Sequence, residues 1–153
     1  MLFLDGRFLK GRFRGVLLST TAKDDNQGLY PLSFAVVDLE TQESWHWFLI
    51  ELRKVIPVDR RINFVSDWNP GLVNALPKVF FNDSHFFCLF HPSKNLRVKF
   101  RGSVFDNKFR EQMIYLFEEC AKIPSQMEFH WKLVELKKRG GRIMDTFLLV
   151  FAF

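Results

Sequence analysis

The run Leu2-Phe3-Leu4-Asp5-Gly6-Arg7-Phe8-Leu9 decides how the chain is read. A short apolar stretch ahead of a turn signal is the pattern of a buried strand, and Asp5 closes its apolar part. The run Ile62-Asn63-Phe64-Val65-Ser66 has the same character and closes on Asp67. A carboxylate at such a strand end is costly to bury without a partner or a metal ion. Two of them on neighbouring strands can share one divalent cation, and Mg²⁺ favours one or two carboxylates together with water and substrate phosphate. That chemistry is a metal site for phosphoryl transfer. Aspartate also ends strands as an ordinary turn residue, and these two positions alone leave both readings open.

Outward from Asp5, the first strand extends over Leu2 to Leu9. Gly15 to Ala22, rich in Val, Leu and Thr, is a second strand, and Leu29 to Leu39 a third. The turn between them is Lys23-Asp24-Asp25-Asn26-Gln27-Gly28, whose spacing is not that of an EF-hand loop. Three consecutive strands on short turns make an antiparallel meander. The period then changes: Trp45, Phe48, Leu49, Leu52, Val55 and Ile56 recur at helical spacing, and Pro57 ends that helix. Ile62 to Ser66 is the fourth strand. Asn69 and Pro70 are a favoured pair at a helix start, and Pro77 breaks the helix. Phe86 to Phe90 is the fifth strand, and Pro92 suits the first turn of the next helix. Phe109, Met113, Leu116, Phe117 and Cys120 share one helical face. Pro124 interrupts, Ser125 and Glu128 have capping-box spacing, and Gly140-Gly141 ends the last helix.

This order of elements is that of an α/β chain with a ribonuclease-H-like core, in which the first and fourth strands are neighbours and Asp5 faces Asp67. A dinucleotide-binding sheet is disfavoured, because the first three strands lack crossover helices and no Gly-rich loop follows the first. The predicted division is an incomplete core over residues 1–100, a helical segment over 101–149 and an apolar tail over 150–153.

The chain has 153 residues, 48% of them apolar, which is enough for a real core. Nineteen phenylalanines point to a Phe-rich core, with a contribution from surface left uncovered. The net charge of +5 and pI near 9.4 weakly favour an anionic partner; the densest basic run is Lys137-Lys138-Arg139, followed by Arg142. Two cysteines, Cys88 and Cys120, make no disulfide framework and fit a reducing compartment. Asp5 and Arg7 interrupt any leader-like apolar stretch, and no apolar run approaches the roughly 20 residues of a membrane helix. The glycosylation sequon Asn82-Asp83-Ser84 means little without secretion.

Five blocks in chain order carry a family resemblance. They are Leu4-Asp5-Gly6-Arg7-Phe8-Leu9-Lys10-Gly11; Tyr30-Pro31-Leu32-Ser33-Phe34-Ala35-Val36-Val37 with Glu43-Ser44-Trp45-His46-Trp47-Phe48; Val65-Ser66-Asp67 with Gly71-Leu72; and Cys88-Leu89-Phe90-His91 with Asn95-Leu96. Over Leu2 to about Phe100 the chain resembles Mutator-like element transposases of the Asp-Asp-Glu type. The resemblance implies a ribonuclease-H-like DNA transposase core. Asp5 and Asp67 would be its first two catalytic, metal-holding acids for Mg²⁺ or Mn²⁺, and phosphodiester cleavage and strand transfer its chemistry. It also implies DNA partners (transposon ends and target) and a nuclear location; a homo-oligomer is left open by the sequence, and the apolar runs give no membrane role.

The chain departs from the family wording at Arg7, Trp68, Phe90 and Pro92. Arg7 brings a cation two residues from Asp5. The family's third acid lies in a block worded Thr-Asn-x-x-Glu-Ser-x-Asn, which does not occur here. The expectation is therefore a truncated core, inactive alone. The alternative is a domesticated relative that kept DNA binding or transcriptional regulation without catalysis.

Other candidates are weaker. Cys88 and His91 are two possible zinc ligands, with His85 a third, but structural zinc wants four; a strand cysteine and a helix-start histidine are preferred. Trp45, Trp47 and Phe48 could stack on bases, yet helical spacing makes Trp45 and Phe48 core first, and His46 reads as a surface residue. Glu118 and Glu119 are poor substitutes for the third acid, since they sit on an ordinary solvated helix face.

Overall fold

The computed structural model describes residues 1–12, 14–24, 26, 28–57, 59–101 and 106–149. The chain divides into two compact units, Met1–Cys88 and Leu89–Phe153. The apolar tail assigned to 150–153, and Asp25 and Gln27 of the first acidic turn, lie outside the described residues.

In the first unit, β1 (Leu2–Phe8) pairs antiparallel with β2 (Val16–Lys23), which pairs antiparallel with β3 (Leu29–Val37). On its other side β1 pairs parallel with β4 (Asn63–Ser66), and β4 parallel with β5 (Ser84–Phe87). The order β3-β2-β1-β4-β5 is that of the ribonuclease-H-like sheet. Pro31, which has no N–H to donate, sits in the edge strand β3. The loop after β3 leads into α1 (Gln42–Val55), and the loop after β4 into α2 (Pro70–Val79).

Leu2, Leu4, Val16, Leu18 and Phe64 point to one face of the sheet, where Trp45, Phe48, Leu49, Leu52, Leu72 and Leu76 bury them. The helix starts are fixed locally. Thr41 Oγ1 accepts from Ser44 N at 3.2 Å, and Asn69 Oδ1 accepts from Leu72 N at 3.2 Å. Gly71 lets these starts approach: a Cβ there would stand 2.9 Å from Gln42 N and 2.9 Å from the Thr41 carbonyl carbon. The alternate positions of the strands, among them Phe34, Val36 and Phe86, point the other way and are exposed.

The second unit is helical: α3 (Phe90–Lys99), α4 (Asn107–Ala121) and α5 (Gln126–Leu149). Its core is Leu96, Phe100, Met113, Ile114, Leu136, Met144 and Phe147.

The meander, α1, the Asn69–Pro70 start and the Pro92 first turn stand as the sequence indicates. Two boundaries are corrected. Pro77 does not break α2, which continues to Val79; the N–H it lacks lies in the last turn, and Phe80 N closes the helix on Leu76 O at 2.9 Å. The fifth strand is Ser84–Phe87, not Phe86 to Phe90, because Ser84 N donates to Ile62 O and pairing ends at Phe87. The helix that starts at Gln126 is broken at Gly140-Gly141, as the sequence indicates: Gly141 is non-helical, with a φ of 53° that suits glycine, and a second helical stretch continues α5 to Leu149. Phe48, Phe64, Phe80, Phe100 and Phe147 are buried, while Phe8, Phe34, Phe81, Phe86 and Phe90 are exposed. The phenylalanine excess thus supplies both core and open surface.

Candidate metal centre at the ends of β1 and β4

The last paired positions of β1 and β4 are Leu4 and Ser66. Asp5 and Asp67 are the next residue on each. Because the strands are parallel and neighbouring strands lie about 4.7–4.9 Å apart, the two aspartates occupy equivalent positions beside each other. Leu4 and Ser66 turn into the core, at 2% exposure each; within β1 alternation sends Asp5 to the opposite face, and Asp67 follows directly after β4. Both are half-buried. Ser19 Oγ donates to the Asp5 carbonyl at 3.2 Å, tying β1 to β2. Asn69 N donates to Asp67 Oδ1 at 3.0 Å, which orients that carboxylate.

A third carboxylate, Glu40, was not singled out by the sequence. It sits in the loop between β3 and α1, where Trp45 Nε1 donates to its Oε1 at 3.1 Å. A Cβ on Gly6 would collide with this carboxyl group, which would have to shift to make room. Burial raises the Glu40 pKa above its ordinary value; the Trp45 hydrogen bond opposes the rise, and the charges of Asp67 and then Asp5 add to it. Glu40 therefore shares the electrostatic neighbourhood of both aspartates. The signal that could have found it is topological. β1, β3 and β4 run in one direction, so Glu40 after β3 and Asp67 after β4 lie beyond the same ends of the strands, where open α/β sheets bind ligands, while Asp5 lies within β1.

Around Asp67 the support is aromatic and polar. The Ser66 hydroxyl lies 2.7 Å from His85 Nε2 and donates to the Asp67 carbonyl at 2.7 Å. Burial lowers the His85 pKa. The rings of Trp68 and Phe87 stack at 3.7 Å. Arg7 is exposed.

The other candidates fall elsewhere. Cys88 closes the first unit, its N donating to Ser66 O at 2.7 Å, whereas His91 lies in the first turn of α3 in the second unit. Glu119 accepts from Lys122 at 3.0 Å in the second unit, on α4 with Glu118. Trp45 and Phe48 are core, and Trp47 is exposed. Among the described residues no group of three or more His, Cys, Asp or Glu side chains could hold a metal ion, and no helix is long and apolar enough to cross a membrane.

Residues 1–95 match the family model described as the MULE transposase domain. No curated protein matches the chain. Two of the solved structures similar to it are catalytic domains. One is the Mos1 transposase catalytic domain with raltegravir and Mn, at 15% identity over 95% of this chain and 82% of that one, with a TM-score of 0.42. The other is the catalytic domain of Mos1 mariner transposase, at 14% identity over 95% and 81%, also with a TM-score of 0.42.

Proposed function

This chain belongs to the MULE transposase domain family, and we propose that its Asp5 and Asp67 hold a divalent cation for phosphodiester cleavage and strand transfer on DNA. One observation supports the proposal: β1 and β4 pair in parallel as far as Leu4 and Ser66, and Asp5 and Asp67 are the next residue on each. The donor set suits the ion. Carboxylate oxygens are hard ligands, and Mg²⁺ or Mn²⁺ takes one or two of them while leaving positions for water and phosphate. A bound ion of this kind stabilises charge on the phosphodiester and activates the attacking hydroxyl or water.

The chain's own residues supply the positioning. Asp5 pairs with Ser19 in the ladder to β2, one residue after Leu4, the last position of β1 paired with β4. Asp67 is oriented by the Asn69 backbone at the start of α2. The net charge of +5 favours a polyanionic partner, and phosphate contacts of that kind weaken steeply with salt. On this reading the protein acts on chromosomal DNA, and the nucleus is the location the proposal implies.

The test is a titration of the chain with Mn²⁺, followed by calorimetry. Wild type binds the ion, and Asp5→Asn and Asp67→Asn each weaken binding by at least about 10-fold, because half of the charged donor pair is gone. Equal binding by wild type and both variants would overturn the assignment.

A further inference from the structure

We propose that His85 is a positioning residue for Asp67, acting through the Ser66 hydroxyl to set the direction of the Asp67 carboxylate. The inference rests on reading Asp5 and Asp67 as the metal site. It starts from the end of a strand: β4 and its pairing stop at Ser66, so Asp67 itself has no place in the ladder.

Two planar peptide groups meet at the Asp67 Cα, and fixing both fixes the direction in which its side chain leaves the backbone. The group before it carries the Ser66 carbonyl, which accepts from Cys88 N at 2.7 Å. The group after it carries the Asp67 carbonyl, which accepts from Ser66 Oγ at 2.7 Å. A serine hydroxyl has one proton, and here it goes to that carbonyl. The second contact of Ser66 Oγ, with His85 Nε2 at 2.7 Å, is therefore made by an N–H of the ring, which fixes the His85 tautomer. Ser66 is only 2% exposed, so bulk water does not replace either contact. The His85 ring packs on Phe87 with centroids 4.7 Å apart, and Phe87 stacks on Trp68 at 3.7 Å. Strand β5 thus grips the residue on each side of Asp67, Ser66 through His85 and Trp68 through Phe87. With the backbone set, the Asn69 N–H at 3.0 Å from Oδ1 completes the orientation of the carboxylate.

A His85 that only satisfied a buried hydroxyl would matter for stability and leave the ion affinity of the folded chain alone. The experiment uses the full chain and Mn²⁺ alone as probe. Kd is read by calorimetry well below the lowest melting temperature of the set. His85→Leu and Ser66→Ala each break the link and should raise Kd about 10-fold, the low end for residues that orient a metal ligand. The double variant should bind as either single one does, within about 2-fold, because both remove the same connection. His85→Gln, whose amide can donate where Nε2 does, should return Kd to within about 2-fold of wild type. If His85→Leu does not fold, Ser66→Ala carries the test, since it loses both hydroxyl contacts.

Wild-type Kd in His85→Leu or Ser66→Ala, with Asp67→Asn still impaired, overturns the His85 inference and leaves the aspartate pair standing. Losses that multiply in the double variant, or a His85→Gln no better than His85→Leu, overturn it likewise. Unchanged binding in Asp67→Asn removes the metal reading itself, and this inference with it.

Discussion

Truncating Phe64 to alanine should separate the packed face of the sheet from its open one. Phe64 lies in β4 at 0% exposure, with its ring 4.6 Å from that of Phe80, over which the Arg53 guanidinium sits at 5.4 Å. Removing a fully buried phenylalanine costs about 3–5 kcal/mol in lost transfer energy and residual cavity. A domain holds only about 5–15 kcal/mol in total, so much of the first unit's stability would go. With a urea slope near 2 kcal/mol per molar, a loss of about 4 kcal/mol moves the midpoint down by roughly 2 M. The matched control is Phe86→Ala. It sits in the adjacent strand β5 opposite Val65, is 54% exposed, and should cost under about 1 kcal/mol. Tryptophan fluorescence is a suitable signal, since Trp45, Trp47 and Trp68 lie in the first unit and only Trp131 in the second. Midpoints that fall equally in the two variants, or a Phe64→Ala shift below about 0.5 M, would refute the assignment of core and open faces.

Other outcomes follow from single contacts. Gly71→Ala should destabilise the chain by about 1–3 kcal/mol in the same denaturation, because the new methyl meets backbone atoms of Thr41 and Gln42 that cannot swing aside; a gain in stability would mean the two helix starts have room. His85 is held below its ordinary pKa of 6.5 by burial. The folded state thus binds this proton less readily than the unfolded one, so the stability due to neutral His85 is present above pH 6.5 and lost as pH falls through the lowered value. A pH series of urea midpoints should decline below 6.5 in wild type and less so in His85→Gln; parallel declines would exclude His85 as the cause.

Much of the fold is legible in the sequence because its signals are local. The alternation in β2 and the helical spacing of Trp45, Phe48, Leu49 and Leu52 each report a burial face within a few residues. The fifth strand was misplaced for the opposite reason. The run Phe86 to Phe90 is apolar, but pairing is set by Ser84 and Cys88, whose N–H groups reach Ile62 and Ser66 in the neighbouring strand. Proline at 77 was read as a stop, yet α2 runs through it to Val79, whereas glycine at 141 does break the helical path before a further stretch follows. Asp5 and Asp67 were visible as the polar ends of apolar runs. Glu40 was not, because its place depends on a gap at Gly6 and on three strands running the same way, and no spacing along the chain encodes either.

Pairing between β1 and β4 also sets how the candidate centre can fail. Side chains alternate along a strand, so a slip of β4 by one residue would bring Ser66 or Trp68 to the place of Asp67 and turn the aspartate toward the other face. No intermediate register offers half of a carboxylate pair. Damage to the sheet therefore subtracts whole sites rather than loosening each one. In a partly destabilised population, the number of cations bound per chain falls while the surviving sites keep their full affinity.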